Sequence, residues 1–160
     1  MAHWMKSDGL TGRQMLDLPP IWLIGAIALV WLQVWLWPGL TTTFPGQDLL
    51  RGVLICSGLG LILWALWAFR RHATSAVPHQ MPDQIITSGP FAFSRNPIYL
   101  GDLLILVGVI AGYGAWPSLV LVPLLQMILV RRFIAPEEAR MKENFGAKFD
   151  AFASQTRRWL

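Results

Sequence analysis

The sequence predicts an all-α integral membrane protein. About four transmembrane helices are expected, the last two forming a helical hairpin, followed by a C-terminal amphipathic helix on the cytoplasmic face. Three observations predict it. Only 14% of the 160 residues are charged, against about 25% in a soluble domain. The charges leave three long uncharged windows, Leu18 to Gln47, Gly52 to Phe69 and Leu103 to Val130, and about 20 apolar residues suffice to cross a hydrocarbon core. Tryptophan is abundant, with nine residues. Trp22, Trp35, Trp37, Trp116 and Trp159 sit near the ends of apolar stretches, where an amphipathic ring favours the headgroup level. A soluble helical bundle would need a polar outer face that these windows lack.

The first span runs roughly from Pro19 to Trp37, with proline at its start and Pro38-Gly39 after its end. A neutral connector, Thr41 to Gln47, leads to a second span of roughly Leu49 to Phe69, closed by Arg70-Arg71-His72. Residues 73–94 are too polar to cross a bilayer. The apolar region from Ile98 to Val130 makes two crossings only if it turns, and Gly112-Tyr113-Gly114-Ala115-Trp116-Pro117 supplies the turn. A hairpin of 98–111 and 117–131 follows, with arms short enough to need thinning, snorkelling or packing. A final helix is expected to begin at Pro136, with Glu137 and Glu138 at the positive end of its dipole. Met141, Phe145, Phe149 and Phe152 then form one apolar stripe on it, as in a helix lying on a membrane surface. Residues 1–160 read as one domain, 1–77 holding the first two spans and 78–160 the motif-bearing half.

Twelve of the thirteen Lys and Arg fall in the N-terminal tail, in 70–95 or after Val130. The positive-inside rule then places both termini and the 70–95 loop in the cytoplasm, and the membrane expected is a bacterial inner (cytoplasmic) membrane. The net charge of +4 reads as attraction to anionic membrane lipids, and no basic-aromatic pattern points to nucleic acid. No cleavable signal peptide is expected, because the first apolar run is long and lacks a small-residue cleavage site. Cys56 is the one cysteine, so no disulfide framework exists. Gly108 and Gly112 form a GxxxG, a weak dimerisation signal.

No phosphate-binding loop, dinucleotide fingerprint, HExxH or paired zinc cysteines occur, and the three scattered histidines (His3, His72, His79) give no reason to expect a metal. Polar chemistry is concentrated instead. Ser88-Gly89-Pro90-Phe91 precedes Ser94-Arg95-Asn96-Pro97-Ile98-Tyr99-Leu100-Gly101-Asp102. On a helix starting near Asn96, Tyr99 and Asp102 share a face, with Arg95 at its mouth. Asp102 is the sole acid of an apolar helix, and an intramembrane carboxylate is a functional-site candidate; Arg95 is its expected partner. The pair reads equally as a lock on the helix end. Glu137 and Glu138 read as dipole complements, with a Glu138–Lys142 surface pair, or as anchors for a ligand hydroxyl or amine. Arg157 and Arg158 read as headgroup anchors or as a clamp for an anionic substrate group.

Taken in order, Thr87-Ser88-Gly89-Pro90-Phe91, Ser94-Arg95-Asn96-Pro97-Ile98-Tyr99-Leu100-Gly101, Glu137-Glu138, and Phe145-Gly146 with Phe149 and Phe152 resemble the isoprenylcysteine carboxyl methyltransferase and phospholipid methyltransferase superfamily. The likeness covers about residues 78–160, to short bacterial-type members. It implies a membrane enzyme that uses S-adenosyl-L-methionine and admits an apolar acceptor from the lipid side. Carried over by position, His79, Gly89, Pro90, Arg95, Tyr99, Gly101, Glu137 and Glu138 are implied to line the cofactor site. Arg95 and Glu138 are implied as catalytic, and Asp102, Arg157 and Arg158 are candidates for the substrate. Asn96 stands where the family pattern has histidine, and Phe91, Phe149 and Phe152 stand where it has tyrosine.

The function expected from that resemblance is S-adenosylmethionine-dependent methylation of a lipid-like or amphiphilic small molecule. The default is carboxyl O-methylation of an isoprenylcysteine-like acceptor. The alternatives are a phospholipid or amine N-methyltransferase and a non-catalytic membrane assembly protein on the same scaffold. The chemistry asks little of side chains, because a sulfonium is already an activated methyl donor and positioning supplies most of the rate.

Overall fold

The computed structural model describes residues 18–72 and 84–160. They form helices α1 (Pro19–Leu36), α2 (Gln47–Arg71), α3 (Pro97–Tyr113), α4 (Leu121–Leu129), α5 (Ala135–Phe145) and α6 (Ala147–Gln155), with no strand among them. Short 3-10 turns cover Pro38–Leu40, Gly89–Ala92 and Trp116–Val120. The protein is an all-α integral membrane protein.

Three helical stretches are long and apolar enough to cross a membrane: Pro19–Leu36, Gln47–Arg71 and the 30-residue run Trp116–Phe145. The fourth, α3, has 17 residues, or about 25 Å of rise. It can be short because it is the core of the bundle rather than its rim. Leu106 and Ile110 of α3 are fully buried, as are Val30 of α1 and Leu129 of α4. α1 and α2, by contrast, turn residues such as Trp31, Trp35, Leu63 and Trp67 outward, as lipid-facing helices do. α2 lies against α3 on one side, while α1 and α4 pack on α3 and on each other.

The α2–α3 contact is a backbone-to-backbone seam. A methyl group placed on Gly108 would come within 2.8 Å of Ile55 Cγ1, and one on Gly58 within 2.7 Å of the Gly101 carbonyl oxygen. Gly108 and Gly112, the GxxxG pair, therefore serve packing within the chain: both face α2, Gly112 against the Arg51 side chain.

The hairpin turn is built as the residues predict. α3 ends on Gly114 in the left-handed region (φ 59°), and the Ala115 amide donates back to the Ile110 carbonyl, the six-residue bond of a Schellman end. The Gly114 carbonyl in turn accepts from the Thr42 amide at 3.1 Å, and Gln47 Nε2 donates to the Gly112 carbonyl at 2.7 Å. The 37–47 connector and the hairpin turn thus meet at one end of the bundle. The start of α1, the end of α2, the 84–96 loop and α5–α6 gather at the other.

Two expectations change. The final helix does not start afresh at Pro136. α4 runs through a π-helical turn, Val130–Ile134, directly into α5, since a proline at a helix position whose amide is already relieved by the wide turn need not break the rod. The expected single amphipathic helix is also two, broken at Gly146 (φ 50°) and tied across the break by Lys142 to Asp150 at 3.1 Å. The stripe survives the break, because Met141, Phe145, Phe149 and Phe152 still converge on one cluster with Phe91 and Ile86. Trp159, expected at the interface, packs partly buried against the main core. The irregular N-terminal tail of 1–17 lies outside the described residues.

Candidate active site

At the end where α1 begins and α2 finishes, the elements enclose a cavity of about 330 Å3. Most of its wall is apolar: Leu18 and Pro20 at the start of α1, Ile62, Leu66 and Phe69 of α2, Ile85, Ile86 and Phe91 of the loop, and Met141, Phe149 and Phe152 of α5–α6. Arg95, Asn96, Tyr99, Glu137 and Glu138 also line it, Arg95 and Asn96 being linked to Glu138 directly or through Arg158.

The loop delivers the first of these. Gly89 (φ 63°) opens a 3-10 turn whose Pro90 and Phe91 are buried, and Phe91 meets Phe69 edge-on at 5.2 Å. The Pro90 carbonyl accepts from both the Phe93 and Ser94 amides. Ser94, 1% exposed, accepts from the Asn96 amide at 3.1 Å. The chain is thereby held rigid as Arg95 leaves it, and Pro97 starts α3.

The π turn delivers the glutamates. A turn closed by i→i+5 bonds inserts one residue, which rotates everything after it by about 100° relative to an unbroken α-helix. Phe133 and Ile134 are buried within that turn. Beyond it, Glu137 accepts a hydrogen bond from the Tyr99 hydroxyl. Glu138 faces two guanidinium groups. Arg158 binds it with a fork, Nε to Oε1 at 3.2 Å and Nη2 to Oε2 at 2.5 Å, and Arg95 Nη2 lies 3.4 Å from Oε1. The hydrogen bond to Glu138 raises the pKa of Arg158 above its already high ordinary value, so this cation is permanent. Two guanidinium groups thus share the one Glu138 carboxylate. Arg95 Nε is buried and has no hydrogen-bond partner among the described residues.

Arg95 therefore pairs with Glu138 and not with Asp102. Arg95 and Asp102 are seven residues apart, about 10 Å along the helix axis, and among the described residues it is α5 that presents an acid to Arg95. Asp102 sits deeper in α3, 4% exposed, with Oδ2 unpartnered, behind the cavity wall. The Glu138–Lys142 surface pair does not form, both residues having other partners. Gly101 faces away from the cavity into the α2 seam, against Ile62 and Gly58. Arg157 contributes its backbone carbonyl, which accepts from the Arg95 amide at 3.0 Å, while its side chain reaches toward the Leu160 carbonyl. His79 lies outside the described residues. The sequence reading missed the α2 wall: Ile62, Leu66 and Phe69 share a helix face, but that spacing is the same as for residues facing lipid. No group of three or more His, Cys, Asp or Glu arranged to hold a metal occurs among the described residues.

Residues 49–148 match the family model for phospholipid methyltransferases, well over half of the chain. The chain belongs to the phospholipid methyltransferase family. No curated protein and no solved structure matches it significantly. The stretch matched to the phospholipid methyltransferases runs from the start of α2 to the start of α6 and includes Arg95, Tyr99, Glu137 and Glu138. α1 and residues 149–160, with Arg158, fall outside it. Membership in this family points to methyl transfer in a membrane setting.

Proposed function

We propose that the protein is an S-adenosylmethionine-dependent methyltransferase acting on a lipid-like acceptor, with the polar patch of the cavity holding the methyl donor. The observation that carries this is Arg95: its Nε is a buried donor without a partner among the described residues, beside a carboxylate already shared with Arg158. A free carboxylate such as the donor's amino-acid end complements that group. Its ammonium and hydroxyl groups suit Glu137 and the remaining lone pair of Glu138, since an ionised carboxylate offers about four acceptor positions. When bound, the donor supplies a methyl on a sulfonium, which passes to the acceptor nucleophile as the methyl–sulfur bond breaks and a neutral thioether is left. The chain's own residues orient the reactants and exclude water through the apolar wall.

The family match, to phospholipid methyltransferases, favours a phospholipid amine over the isoprenylcysteine-type carboxylate as acceptor. Both fit a cavity that is apolar but for one polar patch. The test is titration calorimetry of the detergent-purified protein with S-adenosylhomocysteine. Wild type binds. Arg95→Ala and Glu138→Ala remain folded and lose affinity by a margin expected for breaking a desolvated charge contact, about 2–5 kcal/mol. Absence of binding to the wild type would leave a non-catalytic membrane protein on this scaffold.

A further inference from the structure

We propose that Arg158 is a positioning residue for Glu138, and that Ser94 and Asn96 act in the site by holding Arg158 in place. This deepens the assignment of Glu138 to the donor site and rests on it.

Arg158 belongs to the segment after α6, ten residues beyond the stretch that matches the family. It nevertheless makes the most complete contact any group makes with Glu138. Both carboxylate oxygens are engaged, at 3.2 and 2.5 Å, whereas Arg95 touches one oxygen at 3.4 Å. A guanidinium fork sets the plane of a carboxylate, which a single contact does not. The Glu138 side chain is 18% exposed, and that of Arg158 39%, so Arg158 holds from the more exposed side a carboxylate that lines the cavity.

The segment carrying Arg158 is tied down by the loop that carries Arg95. The Arg95 amide donates to the Arg157 carbonyl at 3.0 Å. Asn96 Nδ2 donates to the Arg158 carbonyl at 3.0 Å, and Ser94 Oγ donates to the same oxygen at 3.3 Å. Three donors from three successive residues thus fix the two carbonyls on either side of the Arg158 α-carbon. Asn96 is where the superfamily pattern has histidine. Its amide here is a latch on a carbonyl, a role that asks only for a donor of the right reach and no titratable ring. Ser94 is buried and also accepts from the Asn96 amide, so latch and helix start form one unit. The result is a continuous chain of contacts from α3, through the last residues, to the glutamate on α5.

The experiment uses the full chain in detergent with S-adenosylhomocysteine as probe, and Arg158→Ala, Arg158→Lys, Asn96→Ala, the Asn96→Ala/Arg158→Ala double variant and Glu138→Gln. Thermal unfolding establishes the folded fraction of each. At metal sites, loss of an outer partner that orients a ligating group typically weakens affinity 10–100-fold, and a positioning residue here is expected to fall at the low end of that range. Arg158→Ala is expected to weaken the probe by roughly tenfold, and Arg158→Lys, which keeps the charge but not the fork, to recover part of it. Asn96→Ala is expected to weaken it less, and the double variant no more than Arg158→Ala alone, because residues acting in one chain are not additive. Wild-type affinity in folded Arg158→Ala overturns the proposal, and fully additive losses overturn the role given to Asn96. If Glu138→Gln itself binds the probe like wild type, the donor-site assignment fails and takes this inference with it. If Glu138→Gln loses binding while Arg158→Ala does not, only the inference falls.

Discussion

Gly101 of α3 faces Ile62 of α2 so closely that a methyl group on it would lie 2.6 Å from Ile62 Cγ1 and 2.7 Å from the Gly58 carbonyl oxygen. Ile62 is a wall residue of the cavity, so a seam position inside the motif is coupled to the site through packing. Gly101→Ala is expected to destabilise the protein by about 1–3 kcal/mol, the usual cost of overpacking. Thermal unfolding in detergent checks it. An unchanged midpoint would mean that the two helices separate easily at this level.

Asp102 makes a prediction of the opposite sign. Its carboxyl is buried in the helix core with Oδ2 unpartnered, and a buried polar group without a partner costs roughly 1–3 kcal/mol. Asp102→Leu, close in volume, is expected to raise stability by up to that amount. Affinity for S-adenosylhomocysteine is expected to stay unchanged, since Asp102 does not line the cavity. A fall in stability would show that Asp102 has a strong partner.

The two ends of the bundle differ in charge, which predicts its orientation. Among the described residues, the end bearing the cavity carries Arg70, Arg71, Arg95, Arg131, Arg132 and Arg158, whereas the end with the 37–47 connector and the hairpin turn carries only the Arg51–Asp48 pair at 3.0 Å. Four crossings with both termini in the cytoplasm follow from the positive-inside rule. Reporter fusions at the N-terminus, near Gln47, near Gln80 and after Leu160 check it. A signal from the far side of the membrane near Gln80 would put the cavity on the side without the donor.

The cavity wall predicts how acceptors are ranked. Leu66 lines the cavity and is 42% exposed on the outer side of α2, so the apolar wall continues onto the lipid-facing surface. Acceptors with one head group and increasing chain length should bind progressively better until the wall is covered, by up to about 0.8 kcal/mol per methylene. Apparent KM values across such a series give the answer. Short water-soluble acceptors performing as well as long ones would show that the acceptor arrives from water.

The spans were legible in the residues because a bilayer imposes length and apolarity on each helix separately. Pro19, the Gly114 turn and Arg70-Arg71 mark ends that local chemistry dictates, and the structure keeps them within a few residues. The motif residues were legible as types and spacings, since Arg95, Tyr99, Glu137 and Glu138 are polar in an apolar chain. Pairing was not. That Arg95 meets Glu138 and not Asp102 depends on where α5 lies. The wide Val130–Ile134 turn sets the rotation of α5, and such a turn leaves no mark in composition. That Asn96 holds a carbonyl 62 residues away, and that Arg158 completes the carboxylate from the far end of the chain, are long-range contacts. They arise only when α6 folds back onto the start of α3, a placement decided by burial of Phe149 and Phe152 against Phe91 and not by any local pattern.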